Sequence, residues 1–169
     1  MLVASEAFAG RFRVRAREHY ETIKFDDGDA SKTYKGFTNT INAWYEEPFQ
    51  YAVGFAGSPI FARLFADQAL PGFAPEVRLV HLGVEGKMFP APEVLSGFLR
   101  GGVYQSQLTS NGEAGRMGGS SYLVGVGYEF NFDGIGVAPE ASWRGGNLDD
   151  EVRFSGSAPC IGVHFYKQL

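Results

Sequence analysis

Residues 11 to 25, RFRVRAREHYETIKF, sort their side chains with a period of two. Arg11, Arg13, Arg15, Arg17, His19 and Glu21 fall on one face, and Phe12, Val14, Ala16 and Tyr20 on the other. Such alternation marks an extended strand, in which successive side chains point to opposite sides. The run is longer than most soluble strands. Four arginines on one row narrow the choice further, because a soluble lipocalin-like barrel needs an apolar interior and this row supplies the opposite. Glu18 interrupts the apolar row.

Similar runs recur at about 33 to 46, 49 to 57, 76 to 89, 93 to 108, 120 to 132, 135 to 145 and 157 to 166, which makes eight expected strands. Composition agrees: 23 Gly, 15 Phe, 8 Tyr and 2 Trp suit strands and tight turns better than helices. The connections alternate. DDGDAS, the segment 57 to 75, TSNGEAGRMGGS and GGNLDDEVRFSG are long, whereas Glu46-Glu47-Pro48, Pro90-Ala91-Pro92 and Asp133-Gly134 are short. In an up-and-down sheet every second connection lies at the same end, so one end carries long polar loops and the other short turns. Transmembrane barrels follow that plan; Greek-key sandwiches have no reason to.

The length of 169 residues suits one domain, expected over 11–169. No apolar run approaches a helical membrane span, which leaves membrane strands open. A net charge of -4 offers no global basic field, so nucleic acid is not an expected partner. The single Cys160 excludes an internal disulfide framework and a cysteine-based metal site. Residues 1–10, MLVASEAFAG, lack a basic n-region, although Ala7-Phe8-Ala9 before Gly10 resembles the end of a secretory signal. They are expected to be a residual or replaced signal, or an N-terminal tail.

With the apolar rows outward, the lipid face carries residues such as Val14, Phe37, Ile41, Val53, Phe55, Leu82, Val84, Leu99, Val103, Val124, Val126 and Trp143. The lumen then holds Arg11, Arg13, Arg15, Arg17, Glu21, Glu85, Lys87, Arg100, Glu129, Glu140 and Arg144, seven bases against four acids. Unpaired charges in a narrow interior are very costly, so these are expected to interlock as ion pairs. Ala52, Gly54, Gly125 and Gly127 on the same rows are expected to make room for the arginines.

The segment Tyr122 to Trp143, YLVGVGYEFNFDGIGVAPEASW, resembles the penultimate hairpin of the OmpA, OmpX and opacity-type small outer-membrane barrels, and PCIGVHF resembles their closing strand. The chain runs on through Tyr166-Lys167-Gln168-Leu169, where those strands normally end in an aromatic. The resemblance implies an all-β, eight-stranded antiparallel barrel in a bacterial outer membrane, monomeric and without cofactor. Its expected surroundings are outer-membrane lipids and lipopolysaccharide, with a surface ligand possible through the loops.

Candidate chemistry is sparse. The arginine row suits an anion pore or phosphate recognition as well as a structural core, but an eight-stranded lumen is just wide enough to be filled by side chains. His81 and Glu85 share a face yet lie about 13 Å apart along a strand, too far to share a metal; no metal site is expected. Some barrels of this size act on lipid A. The deacylases among them carry His-x-Ser in strand seven, where this chain has Glu140 and Ser142. No catalytic residues are therefore assigned, and the expected role is non-enzymatic: envelope integrity, or adhesion through the outer loops, with at most a narrow pore. A lipid A-modifying enzyme and a soluble ligand-binding barrel are the alternatives. SPIFARLFADQAL, 58 to 70, reads as a short amphipathic helix that caps the mouth or continues strand three.

Overall fold

A computed structural model describes residues 11–46, 51–57, 63–90, 97–132, 135–149 and 152–168; the side chains of 11–13, 131 and 158–168 lie outside that description, as do residues 1–10. Ten strands run in chain order: β1 (Arg11–Asp26), β2 (Ser31–Glu46), β3 (Tyr51–Gly57), β4 (Arg63–Phe65), β5 (Glu76–Met88), β6 (Gly97–Ser110), β7 (Arg116–Tyr128), β8 (Phe130–Phe132), β9 (Ile135–Leu148) and β10 (Val152–Gln168). Every pairing is antiparallel. β3 and β4 both lie between β2 and β5, and β7 and β8 both pair with β9, so each couple forms one wall strand. β1 pairs with β2 on one side and β10 on the other, which closes an eight-stranded ring and leaves it without an edge.

Burial alternates along the wall as the sequence pattern requires. On β2 it reads exposed and buried by turns, with Tyr34, Thr38, Thr40, Asn42, Trp44 and Glu46 inside. Phe55 is 71 % and Leu82 68 % exposed, and Val14, Ile41, Val53, Val103, Val124 and Val126 join them on the exterior. Tyr45, Tyr51, Phe130 and Ile135 rim this band near one end, and Tyr20, Phe37, Tyr122 and Trp143 nearer the other. An apolar exterior around a charged interior is the inside-out plan of a barrel that crosses lipid with strands.

Two expectations are corrected. Glycine- and serine-rich stretches at the outer end turn out to be strand: 116–119 extends β7, 146–148 extends β9, and 152–156 opens β10. The hairpin connections there shrink to 27–30, 66–75, 111–115 and 149–151. The segment 63–70 is not helical either. Arg63–Phe65 continues the third wall strand, and the chain then folds over the mouth; 58–62 lie outside the described residues. Leu64 and Leu70 are buried there all the same, because their apolar side chains find the barrel's own interior. The turn at 149 uses a left-handed residue, Asp149 at φ 46°. It is held by reciprocal bonds with Gly118: Asp149 N donates to Gly118 O at 2.7 Å, and Gly118 N donates to Asp149 Oδ1 at 3.0 Å.

Candidate functional site

The luminal row of each wall strand meets the others across the barrel. Arg15 and Arg17 on β1 reach Glu140 on β9, at 3.8 and 3.2 Å, and Arg100 on β6 reaches the same carboxylate at 2.5 Å. Glu85 on β5 is held by both Nε and Nη2 of Arg100, the first at 2.8 Å, and lies 3.5 Å from Arg17. It also accepts from Tyr104 Oη and, at 2.6 Å, from Asn42 Nδ2. Fork geometry of this kind is what makes arginine the favoured partner of a buried carboxylate. Nearer the turns, Lys87 Nζ pairs with Glu129 at 2.6 Å and sits 4.9 Å and 4.7 Å from the Trp44 and Phe98 rings. Nearer the middle, Glu21 bonds His19 at 2.6 Å, accepts from Thr38 at 3.2 Å and lies 3.0 Å from Arg144.

All nine of Arg15, Arg17, Glu21, Glu85, Lys87, Arg100, Glu129, Glu140 and Arg144 are buried. Glu46 joins them, so the described interior balances five cations with five carboxylates, where the sequence tally gave seven to four. Arg11 and Arg13 stand in register with Glu46 and Trp44 of β2, and their side chains lie outside the description. The glycines serve different neighbours from those expected. A Cβ at Gly127 would meet the Phe98 ring at 2.4 Å, and one at Gly54 would meet the Ala43 carbonyl at 2.2 Å; of these three expected glycines Gly125 borders the ion-pair cluster, where a Cβ would lie 3.1 Å from Glu140.

Above the charges the lumen changes character. Ile23, Phe25, Tyr34, Leu64, Leu70, Val77, Leu79, Leu108, Met117, Leu148, Val152 and Phe154 form one apolar cluster, fed by every wall strand and closed over by Ala66, Ala69, Phe73 and Ala114. The 66–75 segment is pinned down as its lid. Leu70 N donates to Tyr34 Oη at 3.1 Å, Tyr34 Oη donates to Ala74 O at 3.2 Å, Ala74 N donates to Ser110 Oγ at 2.8 Å, and Ala114 N donates to Gly72 O at 2.8 Å. Between the two zones His81 Nδ1 meets Ser106 Oγ at 2.7 Å, and Ser106 meets Ser121 at 2.6 Å. His81 and Glu85 thus have separate partners. No group of acidic, His and Cys side chains among the described residues is placed to hold a metal. Ser142 lines a small recess with Glu21, Ile23, Arg144, Gly156 and Ser157, and no described histidine lines it.

The exterior carries a feature that the strand-by-strand reading missed. Lys24, Lys35, Arg63, Arg78, Arg116 and Arg153 are all exposed, one on each of six wall strands, beyond the apolar band at the outer end. Arg63 and Arg78 are direct cross-strand partners, a repulsive placement that Glu76 offsets in part, 3.7 Å from Arg63. The tips above this collar are acidic: Asp27, Asp29, Asp67, Glu113 and Asp149. The signal was present in the sequence as bases at the outer ends of the lipid-facing rows.

A closed eight-stranded ring with a lipid-facing exterior and a charged lumen is the architecture of the small bacterial outer-membrane barrels. No protein-family model matches the sequence, and no curated protein matches it. Among solved structures, the fold is similar to Neisserial surface protein A (NspA), with a TM-score of 0.60 at 16 % identity over 91 % of this chain and 96 % of that one. It is similar also to Ail, the attachment invasion locus protein of Yersinia pestis, solved in complex with the heparin analogue sucrose octasulfate, with a TM-score of 0.58 at 15 % identity over 91 % and 99 %.

Proposed function

We propose that this chain is a sealed, non-enzymatic outer-membrane protein whose business is at its outer rim: holding its place in the lipopolysaccharide leaflet and making surface contacts through the four outer hairpins. The observation that carries the reading is the filled interior. An ion-paired zone and an apolar zone follow one another along the lumen, and an ion in transit would have to part the first and dehydrate against the second. Arg15, Arg17, Glu85, Lys87, Arg100, Glu129, Glu140 and Arg144, with Arg11 and Arg13 on the same row, then serve the wall rather than a passage. The basic collar sits where lipid phosphates lie, which supports anchorage in an anionic leaflet. The acidic tips favour a basic or cation-bridged surface partner over a sulfated polymer of the kind seen with Ail.

The test is conductance across planar bilayers of protein shown to be folded by heat-modifiable gel mobility. Folded protein is expected to give no discrete channel steps. Steady single-channel currents from the folded form would replace this reading with that of a pore.

A further inference from the structure

The six bases of the collar are not equivalent. On the wall formed by β7, β9, β10 and β1, small residues open a hollow of about 600 Å³ between large ones at the outer edge of the apolar band. That volume lies within the range of small-ligand sites. Register fixes how the hollow is built. One outward row runs from Lys24 on β1 through Ser155 on β10 and Gly145 on β9 to Tyr122 on β7, and the next row towards the mouth runs from Asp26 through Arg153 and Asn147 to Ser120. Ser155 and Gly145 form the floor. Tyr122 and Trp143, with ring centroids 5.3 Å apart, bound it on the side of the lipid band. Lys24 and Arg153 are diagonal neighbours across the β1–β10 pair, close enough for both to reach one tetrahedral anion set between them.

The polar groups of this hollow are not spent on the protein itself. Lys24 lies 3.7 Å from Asp26, an exposed pair of little strength. Arg153 pairs with no acid among the described residues, although Asp26 stands in register with it, and the side chains of Asn147, Ser120 and Ser155 make no hydrogen bond to any described residue. The hollow that holds Lys35 and Arg63 differs: Phe37, Phe65 and Asp67 line it, and Arg63 is already 3.7 Å from Glu76. We propose that the β7–β9–β10–β1 hollow is a discrete site for one phosphorylated sugar headgroup of a glycolipid in the surrounding leaflet. The inference rests on the proposed function above and narrows its collar from a charged belt to one binding site. Lys24 and Arg153 take the phosphate, Asn147, Ser120 and Ser155 meet the sugar's hydroxyl and amide groups, and the Tyr122–Trp143 pair packs against the apolar face of the ring. An acid beside two bases suits a ligand that brings donors as well as an anion: the sugar's hydroxyls donate to Asp26, whereas a plain phosphodiester lipid would satisfy the bases and leave Asp26 and the Asn147–Ser120 row unused.

The test is titration of the refolded protein in neutral detergent with diphosphorylated lipid A, with heat-modifiable mobility to show that each variant is folded. Tryptophan emission reports occupancy through Trp143, since Trp44, the other tryptophan, is buried in the lumen. The wild type is expected to saturate at one lipid A per chain. Arg153→Gln, Lys24→Gln and Asn147→Ala are each expected to weaken binding about fivefold, while Lys35→Gln in the other hollow leaves it within about twofold of the wild type. Phosphatidylglycerol, anionic but without a sugar, is expected to displace lipid A only weakly. Displacement by phosphatidylglycerol as effective as by lipid A itself overturns the site, and so does a loss in Lys35→Gln equal to that in Arg153→Gln; either result leaves the collar as a nonspecific belt and the proposed function standing. Failure of the folded wild type to bind lipid A overturns the site and the collar's anchoring role together.

Discussion

The two halves of the lumen solve the same problem in opposite ways. Towards the turns, the wall is held by charges that have given up water and regain it from one another: Glu85 alone takes Arg17, Arg100, Asn42 and Tyr104. Towards the mouth, the same rows of the same strands turn apolar, and Ile23 and Phe25 follow Arg17, His19 and Glu21 along β1. The first half has directional contacts and tolerates no missing partner. The second has contacts that depend on volume, and its members are interchangeable within the limits of packing. The comparison teaches that this barrel is rigidified by electrostatics where lipid surrounds it and capped by an ordinary hydrophobic core where it nears water.

The contrast can be broken from either side. Glu85→Ala is expected to be the most damaging single change, about 3–5 kcal/mol, because it leaves Arg17 and Arg100 to share the Glu140 carboxylate and takes the acceptor from Asn42 and Tyr104. Urea unfolding of the refolded barrel measures it, and a loss no greater than that of an apolar truncation would erase the distinction. The paired replacement of Glu85 by Met and Arg100 by Leu is expected to recover much of that loss, since a well-packed apolar pair can match a buried ion pair. Leu79→Ala in the outer half is expected to cost about 2–4 kcal/mol, scaling with the cavity left, and a compensating larger neighbour should restore most of it in the same assay. Tyr34→Phe removes one hydroxyl that both donates to Ala74 and accepts from Leu70. It is expected to cost about 1 kcal/mol and to speed proteolysis within 66–75. Arg153→Gln, on the collar opposite Asp26, is expected to change stability in detergent by less than about 0.5 kcal/mol. Its effect should appear only as weaker retention of lipopolysaccharide during purification.

Much of the wall was legible because period two is a local property. Arg15 and Arg17 face in and Val53 and Leu82 face out, as the alternation requires, and the ends of β1, β2, β3 and β5 fall within a few residues of the expected ones. Partnership was not legible. Which carboxylate meets Arg17 depends on how β10 registers against both β1 and β9, and Glu140 lies 123 residues away. The apolar plug escaped for a different reason. Val77, Leu79 and Leu108 sit on rows that are charged lower down, so treating each row as uniformly polar hid the change of character. Gly118, Gly119 and Gly146 read as loop because strand residues beyond the lipid band have no alternation to display. The grouping of Ile60, Phe61, Leu64 and Phe65 suggested a helical stripe, whereas Leu64 and Phe65 stand in a strand, the alternative the sequence also left open.

The seam where β1 meets β10 sets the order of events in assembly. The first strand's arginines find Glu140 only after nearly the whole chain has been laid down, and the ring closes only when the last strand pairs with the first. Until then Arg15 and Arg17 have no counter-charge on β9, and a half-built wall presents them to whatever surrounds it. Closure is therefore the step at which the β1 arginines gain the Glu140 carboxylate, so that ring formation and completion of the ion-pair network coincide.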